Sequence, residues 1–155
     1  MAYMQWKPEM SVGMEELDED HRFLIKVINR LAENSAGDGN AEAVGECLAS
    51  LRNYAEFHFA REEGVMRACG YSTLSEHQDE HRAFTGQIAG VARSFETGGS
   101  DAGNVVNEEL LTYLKDWLTH HILVVDMGYR PLVEGNAKAQ AAARGFKGSQ
   151  LWYGD

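Results

Sequence analysis

Between Pro8 and Pro131, the two prolines of this chain, the sequence is written almost entirely in helical periodicity. Clusters of Gly, Ser and Asn at 35–40 and 98–104, and a tighter break at 69–73, divide that stretch into four segments. The expected helices cover about 18–34, with Asp18 as N-cap, then 41–68, 74–97 and 104–128. Each carries one apolar stripe. Met14, Leu17, Leu24, Ile25 and Ile28 share a face of the first, and Leu51, Tyr54, Ala55, Val65 and Met66 a face of the second. Leu74, Phe84, Ile88 and Val91 mark the third. A single stripe must be buried against a neighbour, and short loops make neighbours antiparallel. The expected fold is all-α, an up-down-up-down four-helix bundle with a short C-terminal extension. Residues 1–132 would form the bundle and its N-terminal arm, and 133–155 a tail whose alanine-rich part, 135–144, suits a short helix.

The stripes are not purely apolar. His21 lies on the first, His58 and Glu62 on the second, and His77 and His81 on the third. His58/Glu62 and His77/His81 are i,i+4 pairs, so both members of each lie on one helix face. His121 shares its face with Leu110, Leu114, Trp117 and Leu118, whereas His120 goes with Glu109, Thr112 and Asp116 and should face solvent. Five of the six histidines, with Glu62 and Asp126, thus point toward one core. A lone buried imidazole is usually satisfied by a hydrogen bond; five of them with two acids are not so easily explained. Carboxylates rarely sit buried unless paired or bound to metal. Seven donors exceed the four that zinc takes, and the mixed imidazole and carboxylate set suits iron, manganese or zinc. Bridging by Glu62 and Asp126 would divide the site between two metals. Asp126 sits five residues after His121, which on a regular helix turns it about 140° away. The fourth helix must therefore widen locally, as in a π-bulge, or rotate at its end.

The series resembles the hemerythrin family, in particular single-domain bacterial hemerythrins. The matching pieces are Trp6 with Val12-Gly13 and Asp18-Glu-Asp-His21, then His58-Phe-Ala-Arg-Glu62, His77-Gln-Asp-Glu-His81 and Trp117-Leu-Thr-His-His121 through Asp126. The resemblance implies two non-haem iron ions. His77, His81 and His121 would hold one, His21 and His58 the other, with Glu62, Asp126 and a solvent-derived oxygen as bridges. It implies an open position on the His21/His58 iron for dioxygen, and Leu118 as a lining residue of the oxygen pocket. Ile25, Phe57 and Phe59 are further lining candidates, with ordinary core packing favoured at the two phenylalanines.

A net charge of −10 argues against a nucleic-acid partner. The longest aliphatic run, 122–125, is far too short to cross a bilayer, and the N-terminus lacks the apolar core of a signal peptide. Cys47 and Cys69 have no metal or redox spacing, which is the usage of a cytoplasmic protein with reduced thiols. The expected function is reversible dioxygen binding rather than catalysis. Oxygen-activating di-iron bundles use four carboxylates, and fewer anionic ligands stabilise high-valent iron less. The alternatives are an oxygen or redox sensor acting through a protein partner of the tail, with Phe146, Leu151, Trp152 and Tyr153 as docking groups, or a di-iron oxidase, peroxidase or nitric-oxide-reactive protein. Among weaker features, Glu63 reads as a solvated helix-face residue ahead of a partner to a ligand, and Asp18-Glu19-Asp20 as the acidic first turn of a helix ahead of a surface cation site. Tyr129 is the tyrosine best placed to reach a ligand, ahead of Tyr54 and Tyr113, and Asp38-Gly39 is a turn signal.

Overall fold

The computed structural model describes residues 2–35, 41–98 and 105–146, and it contains no strand among them. Four long helices form the bundle: α1 (Glu15–Ser35), α2 (Ala41–Ala68), α3 (Leu74–Thr97) and α4 (Glu108–His120). The backbone then continues as a π turn, His121–Val125, and a 3-10 turn, Asp126–Gly128. A single turn, α5 (Arg130–Val133), leads to α6 (Ala137–Gly145), where the alanine-rich stretch lies. The turn signal at Asp38-Gly39 and the Trp152-Tyr153 end fall outside the described residues.

Two boundaries differ from the sequence expectation. α1 starts at Glu15, so Asp18 is inside its first turn and is not the N-cap. Its carboxylate instead reaches back to the arm, accepting from the Val12 N–H (2.9 Å) and the Ser11 hydroxyl (2.6 Å). The reversal that brings the arm under the helix passes through Gly13 at φ +83°, a left-handed conformation that glycine adopts without steric cost. α4 starts at Glu108, capped by Asn107, whose side chain accepts from the Leu110 N–H at 3.0 Å. It also does not run unbroken to Gly128.

The core falls into two apolar clusters. The larger includes Leu24 and Ile28 of α1, Leu51 and Phe59 of α2, Phe84 and Ile88 of α3, and Leu114 and Leu118 of α4. The smaller gathers Val12, Leu17, Val65, Met66, Tyr129 and Val133, with Ala139 and Ala143 of α6 packed on them. On each long helix the switch from one cluster to the other happens at the histidines. His21 lies between Leu17 and Leu24, and Glu62 between Phe59 and Val65. His77 and His81 lie between Leu74 and Phe84, and Asp126 between Ile122 and Tyr129. A polar layer is thus enclosed by hydrocarbon above and below. No described helix is long and apolar enough to cross a membrane.

Candidate metal centre

All seven sequence-predicted donors are buried: His21, His58, Glu62 and Asp126 are 0% exposed, and His121, His81 and His77 are 1%, 2% and 3%. α2 and α3 deliver theirs from regular helix at i,i+4. α4 delivers His121 and Asp126 at i,i+5 across the π turn, whose extra residue per turn brings both side chains to one face. Just beyond, the Tyr71 hydroxyl lies where a Cβ on residue 128 would stand, so Gly128 is the residue that fits. His120 is exposed, as its face predicted.

The donor atoms form two overlapping groups. Glu62, His77, His81 and His121 can each place one donor atom within 4.8 Å of the others, and so can His21, His58 and Glu62. Glu62 belongs to both. Its Oε1 lies 2.9 Å from His81 Nε2 and 3.1 Å from His77 Nε2, while its Oε2 lies 3.4 Å from His58 Nε2. Asp126 spans the same divide: Oδ1 is 2.9 Å from His77 Nε2 and 3.1 Å from His121 Nε2, and Oδ2 is 3.2 Å from His21 Nε2.

These atoms converge without satisfying one another. His21 Nε2, His58 Nε2, Glu62 Oε1 and Asp126 Oδ2 are buried with no hydrogen bond of acceptable geometry. Leaving so many polar atoms unpaired in a core would cost about 1–3 kcal/mol each. Nε2 atoms also face one another, His77 to His121 at 3.3 Å and His81 to His121 at 3.2 Å. Lone pairs aimed at common points between two acids are what a pair of cations requires, so the residues fit a dinuclear metal group.

Without metal, protons take the place of the cations. Burial disfavours the imidazolium of His58, but the Asp20 hydrogen bond and then Glu62 override it and carry the group up to about 10. Burial likewise opposes charging of His121 and His77, yet Asp126 and Glu62 raise them to about 10 and about 9. His21 is raised by the same two acids against its burial. Burial would raise Glu62, but the surrounding imidazoles hold it well below the usual carboxylate range. Asp126 is lowered too, with His121 and His21 prevailing over burial and over the charge of Glu62.

Beyond the seven, the structure corrects two readings. Glu63 is no solvated bystander: Oε2 sits 2.7 Å from His81 Nδ1, and Oε1 accepts from the Gln78 amide. Asp20 is buried rather than part of an acidic surface turn, with Oδ2 2.9 Å from His58 Nδ1. Phe59 packs within the larger core cluster, where its ring stacks flat on His81 at 3.9 Å, and Trp117 stacks on His121 at 4.4 Å. Tyr129 reaches one of the predicted donors: its hydroxyl donates to Glu62 Oε2 at 2.8 Å, and burial, with the nearby acids, raises its phenol well above normal. Tyr54 touches Asp20 instead, and Tyr113 stacks on Phe84. Leu118 and Ile25 are buried beside Phe59 and Ile122 in the larger cluster, while Phe57 packs on Phe146. Asp20 was detectable, because it interrupts the Leu17, Leu24, Val27, Leu31 stripe where an unpaired carboxylate does not belong.

Comparison with known proteins agrees with this geometry. The family model for the hemerythrin HHE cation-binding domain matches residues 12–133. A bacteriohemerythrin of Methylococcus capsulatus is 31% identical over 132 residues, which is 84% of this chain and 97% of that protein. A myohemerythrin of Theromyzon tessulatum is 31% identical over 126 residues, 81% of this chain and 90% of its own length. The crystal structure of a wild-type hemerythrin matches with a TM-score of 0.78 at 30% identity, covering 86% of this chain and 99% of that one. A sequence match of this extent, joined to the same bundle, makes this chain a member of the hemerythrin family.

Proposed function

We propose that this chain binds dioxygen reversibly at a non-haem di-iron centre and is not an enzyme. The observation that carries the reading is the enclosed layer of five imidazoles and two carboxylates whose donor atoms converge, four of them, His21 Nε2, His58 Nε2, Glu62 Oε1 and Asp126 Oδ2, with no hydrogen bond. His77, His81 and His121 would hold one iron, His21 and His58 the other, with Glu62 and Asp126 shared. When bound, two ferrous ions supply the electrons that dioxygen takes up and, on the side with fewer imidazoles, an open position to receive it.

The chain's own residues set the conditions for reversibility. Leu118, Ile25, Phe59 and Ile122 wall the layer with hydrocarbon on one side, and Val65, Met66 and Leu17 on the other. Such walls limit entry of water and protons, which would otherwise release a reduced oxygen species. Tyr129 keeps its hydroxyl proton engaged on Glu62, and its raised pKa makes it a poor acid. Glu63 and Asp20 occupy the Nδ1 side of His81 and His58, so those rings offer Nε2 to metal. No further buried histidine waits as a general acid among the described residues; His120 is exposed.

The test is iron content together with visible absorption through one cycle of isolation, anaerobic reduction and re-exposure to oxygen. Two irons per chain, with an oxygenated spectrum that reverses under vacuum, is the expected result. Two irons that oxidise immediately without a reversible oxygenated form would move the function to redox sensing or catalysis.

A further inference from the structure

Two carboxylates flank the ligand layer in parallel ways. Asp20 precedes His21 on α1 and reaches across to Nδ1 of His58 on α2; Glu63 follows Glu62 on α2 and reaches Nδ1 of His81 on α3. Their surroundings differ. The Glu63 side chain is 22% exposed and is otherwise held by the neutral amide of Gln78. The Asp20 side chain is 3% exposed and is fixed on three sides, by His58, by the Tyr54 hydroxyl at 2.6 Å and by Arg61 Nη1 at 3.3 Å. Arg61 is itself anchored on the Glu16 carbonyl at 3.4 Å and lies over the Phe57 ring, which packs against Phe146 beyond α6.

We infer that Asp20 is the positioning residue of His58, fixing its ring so that Nε2 is presented to metal and keeping a buried negative charge behind one half of the centre. The inference rests on the di-iron reading above. An ionised carboxylate only accepts hydrogen bonds, so the Nδ1 it faces must carry the proton, and Nε2 keeps the lone pair. His58 Nε2 is one of the buried atoms without a hydrogen bond, aimed into the layer. The Tyr54 and Arg61 contacts stop Asp20 from following the ring, so the imidazole rather than the acid must conform. A buried charge is screened less than a partly exposed one. Asp20 holds its ring more firmly than Glu63 holds His81, and its charge, though shared with Arg61, acts in a drier surrounding on the side with two imidazoles. It partly compensates for the missing third ligand and favours the ferric over the ferrous state there.

The experiment compares full-length wild type, Asp20→Asn, Asp20→Glu and Glu63→Gln, all loaded anaerobically with ferrous iron. The readouts are the affinities of the two sites and the midpoint potential. Asp20→Asn keeps a polar group but not the charge, and should weaken one of the two sites by about 10–100-fold and raise the potential. Asp20→Glu should recover part of both, and Glu63→Gln should move them less. Tyr54→Phe, which leaves the charge and removes one of the three contacts that fix the carboxylate, should give a smaller loss of affinity and serves if Asp20→Asn fails to fold. Wild-type affinity and potential in Asp20→Asn, or in Tyr54→Phe if that is the variant that folds, would overturn the inference. A wild-type chain that takes no iron would instead overturn the di-iron reading. The Asp20 inference would then be decided by the same comparison of affinities with cobalt(II) as the probe.

Discussion

α3 and α4 serve the same layer by different means. α3 presents His77 and His81 one turn apart on an unbroken helix, and its backbone needs no adjustment. α4 must present His121 and Asp126, and it does so by giving up regular helix for five residues, followed at once by a 3-10 turn. The surplus residue has to surface somewhere, and Val124, at 59% exposure, is the most exposed large hydrophobic among the described residues. Spacing on a helix is thus a constraint the backbone can relax, but only with visible distortion and at one place. Away from the layer each helix fully buries an aliphatic side chain, Ile88 on α3 and Leu114 on α4, both 0% exposed.

The largest effects should come from the proposed ligands. His77→Ala should lose bound iron or the dinuclear spectrum, whereas His120→Ala on the distorted helix should lose neither; iron analysis with absorption spectroscopy decides. Next come changes of spacing. An alanine inserted between Asp79 and Glu80 turns His77 about 100° from His81 and should remove at least one iron. Deleting Val124 converts i,i+5 to i,i+4, lets the π turn close as α-helix, and should leave both irons bound. Loss of iron on that deletion would mean that the π turn sets more than the facing of two side chains. Smaller again, Ile88→Ala and Leu114→Ala should each cost about 2–5 kcal/mol in denaturant unfolding, with similar values if α3 and α4 differ only at the layer.

A pH series separates protons from metal in the same layer. His58, His77 and His121 are raised when folded, so their contribution to metal-free stability is complete below their unfolded pKa of about 6.5. It is lost as pH rises toward 9 and 10. Glu62 and Asp126 are lowered, so theirs is present above about pH 4 and fades on acidification. Metal-free stability should therefore peak in mildly acidic solution. Loading displaces protons, so the stabilisation by iron should be larger at pH 8 than at pH 6. Equal increments in chemical denaturation at the two pH values would contradict the picture of protons standing in for metal.

Much of this was readable from residue spacing. The i,i+4 pairs, the stripes through them and the surface position of His120 follow from helix geometry alone, and the misfit of Asp126 foretold the π turn. Asp18 shows where that reading stops. A helix start and a carboxylate folding back on an arm use the same residue type, and only the path of the chain through Gly13 distinguishes them. Glu63 was misjudged for a related reason. Its neighbour across the seam, His81, lies 18 residues away on another helix, and periodicity within one helix carries no information about who stands opposite. Tyr129 was easier, because it follows Asp126 by three residues and inherits its direction.

α6 bears on how such a site is assembled. Its alanines rest on α1 and α2 partners far earlier in the chain, and its Arg144 joins Glu16 across 128 residues. Closing so long a loop is worthwhile only after the bundle has paired, since α6 alone is too short to hold a helical form. All seven proposed ligands precede α6 in the chain, so this end of the layer is covered by a helix that contributes no donor to it. Loosening α6 alone would therefore bare that end of the layer while leaving every proposed ligand in place.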